Sequence, residues 1–299
     1  MATATLVMID RPTRGQIGGD GAPYRREDPL APQLRVTDLA VTRGDGIFET
    51  AMVREGRILA EERHLRRLAR SAAMLDLPEP DLEVYRDATR AAVAAFGAAA
   101  EGMAEGMVKY CLSRGDEELG TGPVGWAYAG PTPDFSAARE EGIAVVLLDR
   151  GLSTEVPETA PWLLAGVKTL AYAVNKAALR EARRRGAQDV VFVSTDGLLL
   201  EGPTSTLIVR VGDALVTPRP QIGVLPGTTQ EDVFAQAPAW GLRTEYRDVR
   251  ESELLAADGA WLTSSTRLAC PIRRVDGADL AVDVSLTSRM NALLTARTA

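Results

Sequence analysis

The chain has 299 residues, of which 45% are hydrophobic and 25% are charged, and its formal net charge at pH 7 is −7. This length is sufficient for one large domain or two ordinary domains, each with its own apolar core. The negative charge argues against a nucleic-acid partner, and the lack of a membrane-spanning or signal-peptide run indicates a cytoplasmic protein without a membrane partner.

The first half of the sequence mixes strand and helix patterns. Short runs of apolar and β-branched residues predict four strands, over 5–10, 47–53, 107–113 and 124–129. Apolar residues at helical spacing predict helices over 61–76 and near 80–98. The turn residues Glu55 and Gly56 predict a hairpin immediately after the second strand.

The second half follows residues 130–140, a segment with two prolines and no periodicity that is the best candidate for an interdomain linker. Helical patterns cover 169–185 and begin again near Thr228. Strand patterns occupy 143–149, 190–194, 198–202, 206–211, 214–218 and 260–265. Turn residues predict a hairpin at 195–197 and another at 212–213. Hairpins and helices in both halves indicate an α+β fold.

Few side chains are available for metal chemistry. His64 is the only histidine, and the two cysteines, Cys111 and Cys270, lie far apart in the sequence. The Cys-x-x-Cys and mixed Cys/His spacings of zinc sites do not occur, so we expect no metal. Catalysis would then depend on Lys, Arg, Asp, Glu, Tyr, Ser or Thr.

Lys168 follows the apolar run 162–167 and opens the helix predicted over 169–185. Partial burial at this point would lower its pKa from about 10.4 and free the amine to attack a carbonyl carbon, as a Schiff-base lysine does. The alternative is an ordinary surface lysine at the start of a helix.

Glu201 lies in the apolar strand predicted over 198–202 and precedes Gly202, which would let a bound ring approach the backbone. A carboxylate beside a pyridine nitrogen keeps that nitrogen protonated, because an opposite charge favours the charged form. The alternative is a solvated glutamate at the edge of a loop.

Three further segments contain groups that suit an anion. Thr228 and Glu231 match a T-x-x-E capping box, and the N–H groups at a helix start attract phosphate. Arg67 lies beside the apolar face of its predicted helix and can hold a phosphate with two hydrogen bonds. Ser265 and Thr266 belong to a hydroxyl-rich segment after the last predicted strand. A helix cap, a surface arginine and a turn are the ordinary explanations.

The order of six motifs along the chain is more specific than any one of them. The motifs are RGDGIFET (43–50), HLRRL (64–68), KTLAY (168–172), LEGPTSTLIV (200–209), LPGTTQ (225–230) and TSSTRLACPI (263–272). Together they resemble the class IV aminotransferases, the fold-type IV enzymes that use pyridoxal 5′-phosphate (PLP). This family includes branched-chain and D-amino-acid aminotransferases and 4-amino-4-deoxychorismate lyases.

The resemblance implies a role for each matching residue. Lys168 would be the catalytic lysine that binds the PLP aldehyde, and Glu201 would face the pyridine nitrogen. The other cofactor-binding residues would be Arg67, Thr228, Thr229 and Ser265. The substrate-binding residues would be Phe48, Lys109, Tyr172 and Thr266.

The resemblance also implies a two-domain α+β fold of the D-amino-acid aminotransferase type. We expect a small N-terminal α/β domain over 1–130, a linker over 131–140 and a larger C-terminal PLP-binding domain over 141–299. Family members are homodimers, so we expect a homodimer that binds small-molecule substrates.

Within the family, the sequence resembles the lyases most. GDGIFET is typical of the lyase and D-amino-acid branches, and the region around VKTLAYAVN is similar to actinobacterial lyases. Residues 116–119 lack the arginine and histidine of standard D-amino-acid enzymes, whereas Ala171 replaces an asparagine common in bacterial lyases. We expect a 4-amino-4-deoxychorismate lyase that forms 4-aminobenzoate and pyruvate in folate biosynthesis. The alternative is an aminotransferase for branched-chain or D-amino acids with a 2-oxo acid acceptor.

Overall fold

The computed structural model describes residues 4–16, 21–99, 105–116 and 118–297. They form two compact units, each with its own sheet. The first unit comprises the described residues of Met1–Pro133, Val167–Tyr172 and Arg297–Ala299, and the second comprises Asp134–Gly166 and Ala173–Ala296. The predicted α+β class is confirmed. The domain boundaries at 130 and 140 stay a prediction.

The first unit is a sheet against which two helices pack. Its strands are β1 (Thr5–Ile9), β2 (Tyr24–Glu27), β3 (Gly46–Arg54), β4 (Arg57–Ile58), β5 (Glu105–Ser113) and β6 (Val124–Pro131). Its helices are α1 (Leu39–Thr42), α2 (Glu61–Met74) and α3 (Leu82–Ala99). The sheet order is β2-β1-β6-β5-β3-β4. Helices α2 and α3 pack on this sheet and bury Leu65, Leu68 and Tyr85.

The predicted elements of the first unit are confirmed in their type. Helix α2 forms where Leu65, Leu68 and Ala72 recur at helical spacing, and all three are buried. Strands β3 and β4 pair around Glu55 and Gly56, whose φ angles of 51° and 73° are those of a type I′ hairpin turn.

The second unit contains a larger, mixed sheet. Its strands are β7 (Ile143–Asp149), β8 (Asp189–Val193), β9 (Thr206–Val211), β10 (Ala214–Pro218), β11 (Arg243–Arg247), β12 (Gly259–Ser264), β13 (Leu268–Val275) and β14 (Ala278–Asp279). Its α-helices are α4 (Ser136–Glu141), α5 (Val156–Thr159), α6 (Ala173–Arg184), α7 (Thr228–Gln236), α8 (Glu251–Leu255) and α9 (Val284–Thr295). The sheet order is β11-β10-β9-β12-β13-β7-β8, with β14 paired to β13. The predicted β9–β10 hairpin is confirmed.

One edge of this sheet brings three loops together. Strands β9 and β12 are antiparallel, with Thr206 opposite Thr263, so the start of β9 lies beside the end of β12. The loop that leads into α7 lies against the start of β9, because a Cβ atom on Gly227 would be only 2.2 Å from Thr206 Oγ1. We call this region, formed by residues 201–206, 225–229 and 263–267, the β9–β12 edge.

The helix predicted over 169–185 starts later than expected, at Ala173. Residues 168–172 instead run beside β3. The Phe48 N–H donates to the Lys168 carbonyl at 3.2 Å, and the Leu170 N–H donates to the Gly46 carbonyl at 2.8 Å. Long-range pairing with β3 therefore replaces the local helical pattern over these residues, and Lys168 does not open a helix.

The predicted linker and the segment after β8 have defined local contacts. The linker segment 130–140 contains the start of α4, where the Asp134 side chain accepts a hydrogen bond from the Ser136 N–H at 2.9 Å. Residues 198–202 do not form a regular strand, but they turn back beside β8 as the predicted hairpin requires, with a bridge between Val193 and Leu199 and a hydrogen bond from the Leu200 N–H to the Phe192 carbonyl at 2.8 Å. The Leu199 N–H donates to the Val249 carbonyl at 2.8 Å, so this segment is also tied to the residues before α8.

Candidate active site

Lys168 lies in the extended segment beside β3. Its Nζ atom is 4.5 Å from the centroid of the Phe48 ring, and the residue is half-buried. Because the backbone of residues 168–170 is hydrogen-bonded to β3, the position of the amine depends on that strand.

The Phe48 ring lies at the centre of a cluster in the first unit. The cluster also contains the predicted catalytic residue Lys168 and two predicted substrate-binding residues, Lys109 and Tyr172. In the β3–β5 register, Phe48 faces Cys111 and Thr50 faces Lys109, so the side chains of Phe48 and Lys109 share one side of the sheet. Lys109 Nζ lies 4.9 Å from the Phe48 ring centroid. The Tyr172 ring meets Phe48 edge-on, with centroids 5.3 Å apart. Two amines beside one aromatic ring form a positive, partly apolar surface suited to a carboxylate.

Arg67 lies on α2 and binds the opposite side of the same strand. Its Nε and Nη2 atoms donate to the two carboxylate oxygens of Glu49 at 2.7 and 2.8 Å. His64 Nδ1 lies 2.7 Å from Glu49 Oε2, and both of these side chains are fully buried. The structure thus orients the predicted phosphate-binding arginine with a buried carboxylate.

Burial and hydrogen bonds together determine the protonation states of Glu49, His64 and Arg67. Burial by itself raises the pKa of Glu49, but the charge and hydrogen bonds of Arg67 and the hydrogen bond from His64 outweigh it, so the net pKa is well below its usual range. Burial lowers the pKa of His64, and its contact with Glu49 opposes only part of that shift. A neutral His64 must therefore donate its Nδ1–H to the ionised Glu49.

Glu201 lies at the β9–β12 edge in the second unit. Its backbone is held by β8, because the Phe192 N–H donates to the Glu201 carbonyl at 2.9 Å. Its Oε1 atom accepts a hydrogen bond from the Leu225 N–H at 3.2 Å. The carboxylate is half-buried and is tied to the loop that leads into α7.

Thr228 and Thr229 begin α7 at the same edge. The predicted capping box with Thr228 as the N-cap residue is wrong, because Gly227 is the N-cap residue. Thr228 is therefore the first helical residue. Thr229 Oγ1 is buried and has no hydrogen-bond partner within the part of the chain that the structure describes. An unpaired buried hydroxyl at a helix N-terminus suits an anionic ligand.

Ser265 and Thr266 occupy the three-residue turn between β12 and β13, also at the β9–β12 edge. The turn is closed by Leu268, whose φ of 63° is unusual for a residue with a side chain. The second unit thus gathers Glu201, Thr228, Thr229 and the turn into one region, as their predicted common role requires.

Metal ligands do not cluster in the part of the chain that the structure describes. There, no three His, Cys, Asp or Glu side chains are arranged to hold an ion. Cys111 and Cys270 are buried, and burial raises the pKa of their thiols to about 12 and about 11. None of the described helices has both the length and the apolar character to cross a membrane.

Sequence reasoning did not assign roles to Glu49 and Asn175. Glu49 is in the GDGIFET motif, and the three-residue spacing of His64 and Arg67 on α2 is the signal that could have identified their common partner. Asn175 Nδ2 donates to the Pro203 carbonyl at 2.6 Å, so α6 supports the loop after Glu201. That contact joins residues 28 positions apart, and no local pattern predicts it.

Comparisons with known proteins give a consistent result. The family model for amino-transferase class IV matches residues 46–275. A Mycobacterium tuberculosis protein described as a bifunctional aminodeoxychorismate lyase / D-amino acid transaminase is 44% identical over 84% of this chain and 89% of its own length.

Solved structures agree in both fold and sequence. A fold IV transaminase from Curtobacterium pusillum has a TM-score of 0.94 and 49% identity, and the match covers 99% of this chain and 100% of that one. A hypothetical aminotransferase from Mycobacterium tuberculosis in its PLP-bound form has a TM-score of 0.88 and 40% identity, with 98% of each chain covered. The matched residues include most of both units, so the chain belongs to the class IV aminotransferases and is a PLP-dependent enzyme of the fold-type IV structural class.

Proposed function

We propose that the chain is a 4-amino-4-deoxychorismate lyase that releases 4-aminobenzoate and pyruvate, and that the same residues support transamination of D-amino acids. The observation that carries this proposal is the 44% identity, over most of both chains, to a protein described with both activities. The cluster around Phe48 supports it, because the Lys109 amine suits a substrate carboxylate and lies beside the same ring as Lys168.

The side chains at the β9–β12 edge fit PLP. Thr229 Oγ1 is a buried hydroxyl without a partner within the described residues, and it lies at the start of a nine-residue helix where N–H groups favour a phosphate. Glycine at 227 leaves no side chain in front of Thr206. Glu201 supplies a carboxylate for the ring nitrogen. From the first unit, Lys168 would supply the amine for the aldehyde, and Arg67 a guanidinium for the phosphate.

Each residue then has a chemical task. When bound, PLP supplies an electron sink for the pair left on the substrate carbon that loses a proton. Lys168 Nζ takes that proton, and Glu201 keeps the ring nitrogen protonated by its negative charge. In the lyase reaction, loss of this proton and of the enolpyruvyl group as pyruvate leaves the aromatic 4-aminobenzoate. In transamination, Lys168 would give the proton back within the same half-reaction, water would release the 2-oxo acid, and the amino group would remain for the acceptor.

Substrate recognition would come from the remaining candidates. Lys109 would attract a substrate carboxylate as a point charge, in contrast to the two-pronged contact of an arginine. Phe48 and Tyr172 would contact the apolar part of the substrate, and Thr266 would donate a hydrogen bond to its carboxylate. Small-molecule substrates of this kind fit the family.

Transamination is the second candidate because the fold IV transaminase from Curtobacterium pusillum is 49% identical over nearly the whole chain. The two reactions differ in their need for an acceptor. We expect equal amounts of 4-aminobenzoate and pyruvate from aminodeoxychorismate without any 2-oxo acid. D-alanine should react only when 2-oxoglutarate is present, and L-leucine tests the branched-chain alternative. Transamination without any 4-aminobenzoate would contradict the lyase proposal.

Lys168→Ala tests the shared step. We expect both activities to fall by roughly 10³-fold or more, because the variant lacks the base that moves the proton. Lys176→Ala is the matched control, since Lys176 is an exposed lysine on α6 outside the proposed site. Full activity in Lys168→Ala, measured by product formation, would contradict the assignment.

We also propose that the enzyme is a cytoplasmic homodimer that supplies 4-aminobenzoate for folate biosynthesis. Homodimers are the assembly that the family resemblance implies. Light scattering of the purified protein should give twice the mass of the chain. A monomer with full activity would contradict the dimer proposal and leave the reaction proposal intact.

A further inference from the structure

Arg267 follows the two hydroxyl residues of the β12–β13 turn, and its side chain reaches away from them. Its Nη2 atom lies 2.6 Å from Asp189 Oδ2, in a pair whose side chains are only 12% and 1% exposed. Asp189 begins β8, and its other oxygen accepts a hydrogen bond from the Val190 N–H at 2.8 Å. Because both charges are nearly buried, neither group can replace its partner with water, and the pair fixes where the Arg267 guanidinium lies.

The same guanidinium reaches a second loop of the β9–β12 edge. Arg267 Nη2 lies 3.4 Å from Ser205 Oγ, and Ser205 closes the turn that begins at Gly202. The Gly202 N–H donates to the Ser205 carbonyl at 2.8 Å, and a Cβ atom on Gly202 would lie 2.5 Å from Ser205 Oγ, so the serine packs directly against this glycine. One arginine therefore connects the turn after Glu201 with the turn that contains Ser265 and Thr266.

Arg139 on α4 holds the turn from its other side. Its Nη2 donates to the Thr266 carbonyl at 2.9 Å, and its Nε donates to the Arg267 carbonyl at 3.1 Å. In a trans peptide the carbonyl and the next N–H point in opposite directions, so fixing these two carbonyls also fixes the N–H groups of Arg267 and Leu268. The Arg267 N–H is in turn 3.3 Å from Ser264 Oγ.

We propose that Arg267 and Arg139 are positioning residues that lock the Ser265–Thr266 turn against the Glu201 loop, so that the turn's hydroxyl and N–H groups are preorganised for PLP and the substrate carboxylate. This inference rests on the proposed function for the role of the turn. The two arginines act through the backbone and through Asp189 and Ser205, and they do not themselves touch the ligand.

Arg139→Ala is the first test. It leaves no charge unpaired in the Asp189–Arg267 pair, so the protein should still fold. We expect the PLP dissociation constant, measured by absorbance titration of the apo protein, to rise about tenfold, and KM to rise with kcat changed less than about threefold. Arg273→Ala is the matched control, because Arg273 Nε also donates to a backbone carbonyl, that of Gly142, outside the turn.

Arg267→Ala and Arg267→Lys form the second test. Lysine can restore the charge opposite Asp189 but not the second contact to Ser205, so we expect PLP affinity between those of the alanine variant and the wild type. If Arg267→Ala does not fold, Arg139→Ala decides. Unchanged PLP affinity and KM in Arg139→Ala, or an equal change in Arg273→Ala, would overturn the proposal. PLP affinity is measured without turnover, so it tests the arginines even if the proposed reaction is wrong.

Discussion

At the scale of single residues, the carboxylate of Glu49 is fully buried and stays ionised because two side chains of α2 donate hydrogen bonds to it. Arg67 is only 11% exposed, so its buried charge needs the compensation that this carboxylate supplies. Glu49 therefore sets the direction of the Arg67 guanidinium before any phosphate binds. The apo protein already contains an oriented cation at this position.

Glu49→Gln should destabilise the protein strongly. The amide cannot balance the Arg67 charge, and breaking one side of a buried ion pair costs about 3–5 kcal/mol in the free energy of unfolding. Urea denaturation at pH 7 measures this value. Glu62→Gln on α2 is the control, because its pair with Arg86 leaves Glu62 half exposed and should be worth at most about 1 kcal/mol. Equal effects of the two substitutions would contradict the buried network.

At the scale of secondary-structure elements, the start of α7 lacks two stabilising hydrogen bonds within the described residues, one from an N-cap side chain and one at a buried hydroxyl. Its N-cap is a glycine without a side-chain acceptor, and Thr229 Oγ1 lies buried without a partner within the described residues. Such a group costs the apo protein free energy that a phosphate oxygen would recover. We therefore expect the helix start to stabilise the PLP-bound protein more than the apo protein.

Thr229→Val separates these two effects. Removing an unpaired hydroxyl should leave the apo protein equally stable or slightly more stable, whereas PLP affinity should fall by roughly 5- to 30-fold. Thermal melting of the apo protein and absorbance titration with PLP measure the two quantities.

Thr217→Val is the matched control at another buried threonine. Thr217 Oγ1 donates to the Leu207 carbonyl at 2.7 Å, so this substitution should destabilise the apo protein by about 1 kcal/mol and leave PLP affinity unchanged. A loss of apo stability in Thr229→Val without weaker PLP binding would mean that its hydroxyl serves the fold.

Local sequence patterns predicted the elements that local forces determine. Helix α2 and the hairpin at Glu55 and Gly56 follow from apolar spacing and turn chemistry. The segment after Lys168 was predicted as helix and is extended, because it pairs with β3 more than a hundred residues earlier in the chain. Local periodicity contains no information about a partner at that distance.

The candidate site shows the same division. Motif order supplies the candidate residues, and their roles stay a prediction, whereas contacts such as those of Glu49 and Arg267 depend on which strands are neighbours. Glu49 and Arg267 both lie within the motifs, but the motif sequences alone do not indicate a role for either residue. Their roles follow from buried charge, which requires a partner wherever it occurs.

At the scale of the whole molecule, residues proposed to bind PLP come from both units. Arg67 and Lys168 belong to the first unit, and Glu201, Thr228 and Thr229 belong to the second. A ligand that contacts residues of both units should stabilise both, because binding energy is available only to the folded state. A ligand held by one unit would stabilise that unit alone.

Hydrogen exchange of the apo protein with and without PLP tests this expectation. We expect slower exchange in 46–54 and 64–72 of the first unit and in 201–206 and 227–236 of the second. The β13–β14 pairing, 274–275 and 278–279, lies at the end of β13 away from the Ser265–Thr266 turn and should change least. Inorganic phosphate, which lacks the aldehyde and the ring, should protect the α7 start without protecting 201–206 to the same degree. Protection by PLP confined to one unit would show that the residues assigned in the other do not bind the cofactor.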